Sequence, residues 1–348
     1  MSNTKVAILC LSHHKGGMEL DAIRHTKLFK KHGIDALLIC KSDTFLEEKA
    51  KTQNVEHFSI AFRSKLSLNL IRELRSVIKK EQITTLVFFG ASEIKSIYFA
   101  VKGTNCKVIV RHGTTKSTSK KDFLHRIFYS CVSNYVAISE HLHRNALAIL
   151  PATSSQTVTI YPSIDTTSIY PNAPKSPTFV FVGRVERGKG IYDAVTALSN
   201  ANIPEENKKL TIVGPYNNNV KNELLDLVRD NRVELVFTGY TDNVSQHYIE
   251  NAFFLFPSYG EGFGNVMLEA MNYGLACITY NNTIFPEFMA LGFEDLYQAQ
   301  DKNIIDLADK IELATSNFIV SKENTHKDIL LSNFSEATCI SKWKEILL

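Results

Sequence analysis

Short, almost wholly apolar runs alternate along the chain with longer segments that are apolar on one face only. The first half reads KVAILCL, a glycine pair, MELDAIRHTKLFKKHG, DALLIC, LSLNLIRELRSVIKKE, TTLVFFG and KVIVRHG. The short runs lack the in-out alternation of a half-exposed sheet, so they predict parallel strands covered on both faces, with the longer segments as crossover helices. Gly33 and Gly90 stand where such elements close. Residues 162–177 then carry four of the nine prolines and predict a linker. Beyond it the pattern restarts with TFVFVG, IYDAVTALSNA, KLTIVG, VKNELLDLVRD, VELVFTG, AFFLFPS, a helix near residue 265 and LACITY. The last stretch, FSEATCISKWKEILL, has helical spacing, with Ser335 as a possible cap. The expectation is an α/β protein of two Rossmann-like, doubly wound domains, 1–165 and 166–333, facing across a cleft. Residues 334–348 form a helix returning to the first domain. Open α/β sheets bind ligands beyond the carboxyl ends of their strands, so the loops there are where chemistry is expected.

Composition adds little to this picture, whereas the charge distribution changes it. An apolar fraction of 44% and a charged fraction of 22% are those of a globular protein, and no low-complexity tract or solenoid period interrupts the chain. VAILCL at 6–11 is too short for a secretory core or a membrane helix and reads as a strand. Six cysteines without a CxxC pair suit reduced core thiols and a cytoplasmic location. The net charge of +3 conceals a division: residues 1–170 carry 24 Lys+Arg against 13 Asp+Glu, and the remainder 15 against 23. The two halves are therefore expected to meet different partners. FRSKLSLNLIRELRSVIKK and KSTSKKDFLHRIFYS interleave cations with apolar residues. They suit peripheral docking on an anionic membrane, on the inner face of the plasma membrane, and equally suit a solvated helix face; no nucleic-acid partner is expected.

Three loops carry candidate chemistry. LSHHKGGMEL lacks the G-x-G-x-x-G of a dinucleotide site. Gly16 and Gly17 permit either close backbone approach to an anion at the following helix or merely a tight turn. FVGRVERGKG places Arg184 and Lys189 before a helix start, a pair suited to a diphosphate, against the alternative of solvated loop cations. PSYGEGFGNVMLEAMNYG holds Glu261 in the loop and Glu269 one turn into a helix that Gly274 ends. Two ionised carboxylates near one helix end accept hydrogen bonds from paired hydroxyls of a sugar or ribose, whereas a carboxylate serving only the helix dipole would not explain the surrounding glycines and aromatics.

These segments resemble glycosyltransferase family 4, the retaining nucleotide-sugar transferases of GT-B fold. EGFGNVMLE fits the family's E-x7-E motif, GGMEL its N-terminal glycine loop, VIVRHG the strand ending in its active-site histidine, and FVGRVERGKG its G-R-x5-K-G loop. VAISEHL, VFTGYTDN and IFPEFM follow in the family's order, so the likeness spans nearly the whole chain. YPSID at 161–165 departs from the family's P-N-G-[IV]-D run.

The resemblance implies that Arg184 and Lys189 bind the donor diphosphate, Glu269 the ribose, and Glu261 the donor sugar. The backbone of Gly262, Phe263, Gly264 and Asn265 would hold sugar and phosphate, and Tyr240 would lie near the base. Gly16 and Gly17 would approach the phosphate. His112 would lie beside the transferred sugar, with His13 and His14 as rivals. It further implies a UDP- or GDP-linked donor as co-substrate, no other cofactor and no metal, in keeping with the lack of any Asp-x-Asp sequence. The acceptor would be a hydroxyl of a glycan or glycolipid in bacterial lipopolysaccharide or surface polysaccharide synthesis. A nucleotide-sugar epimerase or phosphorylase of the same fold, or a non-catalytic nucleotide-sugar-binding protein, would keep much of this pocket.

Overall fold

The computed structural model describes residues 4–90, 92–166, 176–229, 233–319 and 324–347. Part of the proline-rich linker, 167–175, lies outside the described residues. The chain divides into two units, Met1–Pro162 with Glu336–Leu348, and Ser163–Ser335.

The first unit is built on strands β1 (Lys5–Cys10), β2 (Asp35–Lys41), β3 (His57–Ile60), β4 (Thr85–Phe89), β5 (Lys107–His112), β6 (Val132–Ala137) and β7 (Thr157–Thr159). They pair in the order β3-β2-β1-β4-β5-β6-β7, every pair parallel. Connecting them are α1 (Gly17–Lys31), α2 (Phe45–Thr52), α3 (Leu68–Lys80), α4 (Ile94–Val101), α5 (Phe123–Tyr129) and α6 (Glu140–Ile149). The run KVAILC shows why its residues are all apolar. Val6, Ile8 and Cys10 enter one core with Phe29 of α1, while Ala7 and Leu9 enter the other with Leu70 and Leu74 of α3. Both faces are buried, so neither alternate position can be polar.

A charged cluster lies inside this unit. Arg111 is buried, forms an ion pair with Asp21 of α1, and lies 4.5 Å from the centre of the Phe89 ring. Burial pushes the Asp21 carboxyl up, but Arg111 and His25 outweigh it and hold it well below its usual range.

The last helix, α14 (Glu336–Leu347), belongs to this unit. It begins two residues after the Phe334 expected within it, because Ser335 is extended at ψ 155° and breaks the helical path. Trp343 is fully buried against Phe29 and His25, at ring distances of 5.4 and 6.0 Å. Lys31 of α1 meets Glu336 at 2.5 Å.

The second unit repeats the design with β8 (Ser176–Val182), β9 (Lys209–Val213), β10 (Glu234–Gly239), β11 (Asn251–Leu255), β12 (Ala276–Tyr280) and β13 (Leu296–Ala299). Their order is β10-β9-β8-β11-β12-β13, again with parallel pairs. Its helices are α7 (Ile191–Asn200), α8 (Asn218–Leu227), α9 (Val244–Glu250), α10 (Asn265–Asn272), α11 (Phe285–Ala290), α12 (Ile304–Ser316) and α13 (Lys327–Phe334). From β8 the chain moves outward to β9 and β10, and from β11 it moves the other way to β12 and β13. The loops leaving the carboxyl ends of β8 and β11 therefore part company, and a crevice opens between them. The corresponding switch in the first unit lies between β1 and β4.

The Trp343 indole N–H has no hydrogen-bond partner among the described residues, so its contribution is packing alone. Trp343→Ala should cost about 3–5 kcal/mol of stability. Trp343→Phe should cost far less, since it removes an unpaired buried donor as well as ring volume. Denaturant unfolding followed by circular dichroism separates the two; equal losses would contradict a packing role.

Candidate functional site

The switch point of the second unit is held together by contacts between its two loops. Gly190, the cap of α7, adopts φ 73°, and a Cβ placed there would lie 1.8 Å from the Pro257 carbonyl oxygen. The loop after β8 thus rests directly on the backbone that leaves β11. Tyr259 N–H donates to the Gly188 carbonyl at 3.1 Å. Asp193, in the first turn of α7, accepts from Tyr259 Oη at 3.1 Å and from Tyr280 Oη at 2.7 Å. Burial and then the Asp193 hydrogen bond and charge drive the Tyr280 phenol far above its ordinary value, so both tyrosines remain donors.

Across this junction Lys189 Nζ meets Glu261 Oε1 at 2.6 Å, with both side chains largely buried. Ser258 Oγ, itself fully buried, donates to the same carboxylate oxygen at 2.8 Å, and Thr283 Oγ1 accepts the Glu261 N–H at 3.1 Å. Arg184 lies on the same loop as Lys189 but is mostly solvated, its Nη2 3.1 Å from Glu186. The helix α10 starts immediately after Gly264, which adopts φ 78° and leaves the first-turn N–H groups without a side-chain cap. Asn265 opens α10, and Glu269 lies one turn inside it, half-buried. Phe263 is buried against Phe288 and Phe334, at 6.0 and 5.8 Å, so its side chain anchors the loop and leaves only its backbone to face a ligand. Gly262 adjoins it, half-buried.

The structure therefore gathers Lys189, Glu261, Gly262, Phe263, Gly264, Asn265 and Glu269 around one crevice edge. Tyr240 follows β10, two strands from β8, with its ring 75% exposed and its hydroxyl donated to Asp242 at 2.8 Å. Sequence reasoning missed Ser258 and Thr283. Only the position of Ser258 three residues before Glu261 hinted at a partner.

Gly16, Gly17 and His112 belong to the first unit. Gly16 caps α1 and Gly17 begins it, both exposed, as are His13 and His14. The same turn carries the buried Glu19 carboxylate, a like charge for any phosphate drawn to that helix end. His112 ends β5 and is 4% exposed. Its Nε2 lies 2.8 Å from Asn145 Oδ1 of α6. The Asn145 amide also accepts from Lys116 N–H at 3.1 Å and donates to the Lys116 carbonyl at 2.9 Å. A backbone N–H only donates and a carbonyl only accepts, which fixes the amide's orientation. Oδ1 must then receive a proton from Nε2, so neutral His112 offers its lone pair at Nδ1. Burial holds the imidazole below its ordinary value of 6.5, against the opposing Asn145 hydrogen bond.

Comparison with known proteins bears on this geometry. Residues 166–327 match the family model of glycosyl transferases group 1. The chain is 22% identical over 354 residues to an uncharacterized glycosyltransferase of Haemophilus influenzae, covering 95% of this chain and 96% of that one. A glycosyltransferase structure from Rickettsia africae superposes with TM-score 0.84 at 19% identity, covering 99% of this chain and 98% of the other. Anabaena HepE in complex with UDP superposes with TM-score 0.82 at 15% identity, covering 99% of both chains. The lipopolysaccharide outer core galactosyltransferase WaaB does so at 0.77 and 17%, covering 98% of both. The fold is GT-B, two parallel α/β sheets with flanking helices. The matched segment and these likenesses support a glycosyltransferase.

Two expectations follow from the geometry. Gly190→Ala should destabilise the second unit by more than the 1–3 kcal/mol typical of backbone strain, because a clash adds to it. Gly188→Ala, where nothing lies within 4 Å of an added Cβ, should be nearly silent in the same thermal unfolding assay. Below pH 6.5 the unfolded chain binds a proton on His112 that the folded chain resists, so this residue's burial lowers stability as pH falls through 6.5 and has no such effect above it. His112→Gln keeps a donor for Asn145 and should flatten the stability profile below about pH 6.5. An unchanged profile would remove the buried neutral imidazole from the account.

Proposed function

We propose that the chain is a retaining glycosyltransferase that moves a hexose-type sugar from a nucleotide donor to a hydroxyl of a glycan or glycolipid. The observation that carries this reading is the Lys189–Glu261 pair at the β8–β11 switch point, beside the uncapped start of α10. Without a donor, the ammonium and carboxylate neutralise each other. A nucleotide sugar offers each a better partner: phosphate oxygens for Lys189 and ring hydroxyls for Glu261. Binding would exchange one internal ion pair for two external contacts, so recognition of diphosphate and of sugar would be coupled. Arg184, solvated on the same loop, would add a second cation. The N–H groups that begin α10 would complete the phosphate site, and Glu269 would hold the ribose. The HepE complexes favour UDP as the nucleotide.

As the glycosidic bond breaks, negative charge grows on the diphosphate. Fixed cations and helix dipoles stabilise that charge without the reorganisation water would need, and no metal is required on this reading. Glu261 would orient the sugar, and Nδ1 of His112 would accept a hydroxyl hydrogen. The WaaB likeness and the 24% identity over 171 residues to a Klebsiella pneumoniae protein of a cps region, covering 48% of this chain and 45% of that protein, favour lipopolysaccharide or capsule-type acceptors at the inner membrane face.

A panel of nucleotide sugars, followed by mass spectrometry of slow donor hydrolysis, tests the reading. Consumption of one donor supports transfer, interconversion of the sugar supports an epimerase, and binding without turnover supports a binding protein. With the consumed donor, Lys189→Ala and Arg184→Ala should each lower turnover by about 10²–10³-fold, as loss of one preorganised donor does elsewhere. Saturating EDTA should leave the wild-type rate in place; a rate lost to EDTA and restored by magnesium would overturn the metal-free mechanism.

A further inference from the structure

Residues 61–130 hold 14 Lys+Arg against 4 Asp+Glu, a net of +10 where the whole chain carries +3. The same stretch exposes large apolar side chains: Leu66, Leu68, Phe99, Phe123, Leu124 and Ile127. Tertiary structure brings Leu66, Leu68 and Phe99 together between α3 and α4, and α4 in turn packs on α5, which carries Phe123, Leu124 and Ile127. The Phe99 and Phe128 rings are 6.1 Å apart, and Lys95 Nζ lies 5.5 Å from the centre of the Phe128 ring.

Between α3 and α4 runs an open groove of about 710 Å³, walled by Leu66, Leu68, Ile71 and Phe99, with Arg72 and Lys102 also in its lining. Arg75 lines the groove as well, but its guanidinium is already paired. It donates to the carbonyls of Phe99, Ala100 and Lys102, which ties the end of α4 to α3. Solvation of a helix face explains the lysines and arginines. It does not explain Leu68 at 71% and Phe123 at 75% exposure among them, since contiguous apolar surface in water is unfavourable unless something covers it. Aliphatic side chains ringed by cations match a layer that is apolar inside and anionic at its surface. Leu66, Leu68, Leu124 and Ile127, the aliphatic majority of these side chains, offer a nucleic acid nothing to stack on.

We propose that the face formed by α3, α4 and α5 docks on an anionic lipid bilayer. Leu66, Leu68 and Phe99 enter the acyl region, where the groove receives a lipid chain, and Arg72 and Lys102 meet headgroup phosphates. This names the partner of the first unit under the proposed function, but it rests on this surface and not on the donor site.

Flotation with phosphatidylcholine vesicles, and with vesicles containing roughly a third phosphatidylglycerol, tests it at low and high salt. Donor hydrolysis is measured in parallel without vesicles. Binding should require phosphatidylglycerol. Leu66→Ser with Leu68→Ser should weaken it about tenfold, and Arg72→Glu with Lys102→Glu at least as much, while hydrolysis stays unchanged in both. These positions are exposed or rim the groove, so the variants are expected to fold, and unchanged hydrolysis checks this for the whole chain. No binding to the anionic vesicles at low salt, binding indifferent to both variants, or displacement by an oligonucleotide with the leucine variant unaffected would each overturn the docking. Docking that persists when no donor is hydrolysed would sustain it and sink the sugar-transfer reading alone.

Discussion

The close approach of Gly190 to the Pro257 carbonyl is the constraint on which the second unit's site depends. Parallel strands that diverge at a switch point leave two loops with no hydrogen-bonded ladder to hold them. Here the absent side chain lets one loop rest on the other's backbone. The Gly188–Tyr259 hydrogen bond and the Asp193 contacts with Tyr259 and Tyr280 then fix their relative height. Lys189 and Glu261 meet at 2.6 Å across this junction.

Several buried or half-buried ionisable groups in the two units are either paired or kept neutral. Asp21 is answered by Arg111, and Lys189 by Glu261. His112 is neutral because burial disfavours its charged form, and Asn145 uses the proton that remains. The exposed cations of the α3–α5 face need no such pairing, since water solvates them until an anionic partner replaces it. Their number sets the charge division between the halves of the chain, and their setting among exposed leucines and phenylalanines gives that division its chemical meaning.

The sequence by itself determined the two parallel sheets and their order of elements. Strands buried on both faces must be apolar at every position, as KVAILC and DALLIC are, and that signal is local. The glycine loops and the carboxylates at 261 and 269 were legible for the same reason, because helix starts and tight turns depend on neighbouring residues. Tertiary structure decided the partners. Thr283 on Glu261, Asn145 on His112 and the groove between α3 and α4 all join residues that no local pattern links. Phe334 and Phe263 show the limit most plainly. Phe263 reads as a site residue and Phe334 as part of the last helix, yet they pack into one aromatic core, since burial depends on what the fold places opposite a side chain and not on its neighbours in sequence.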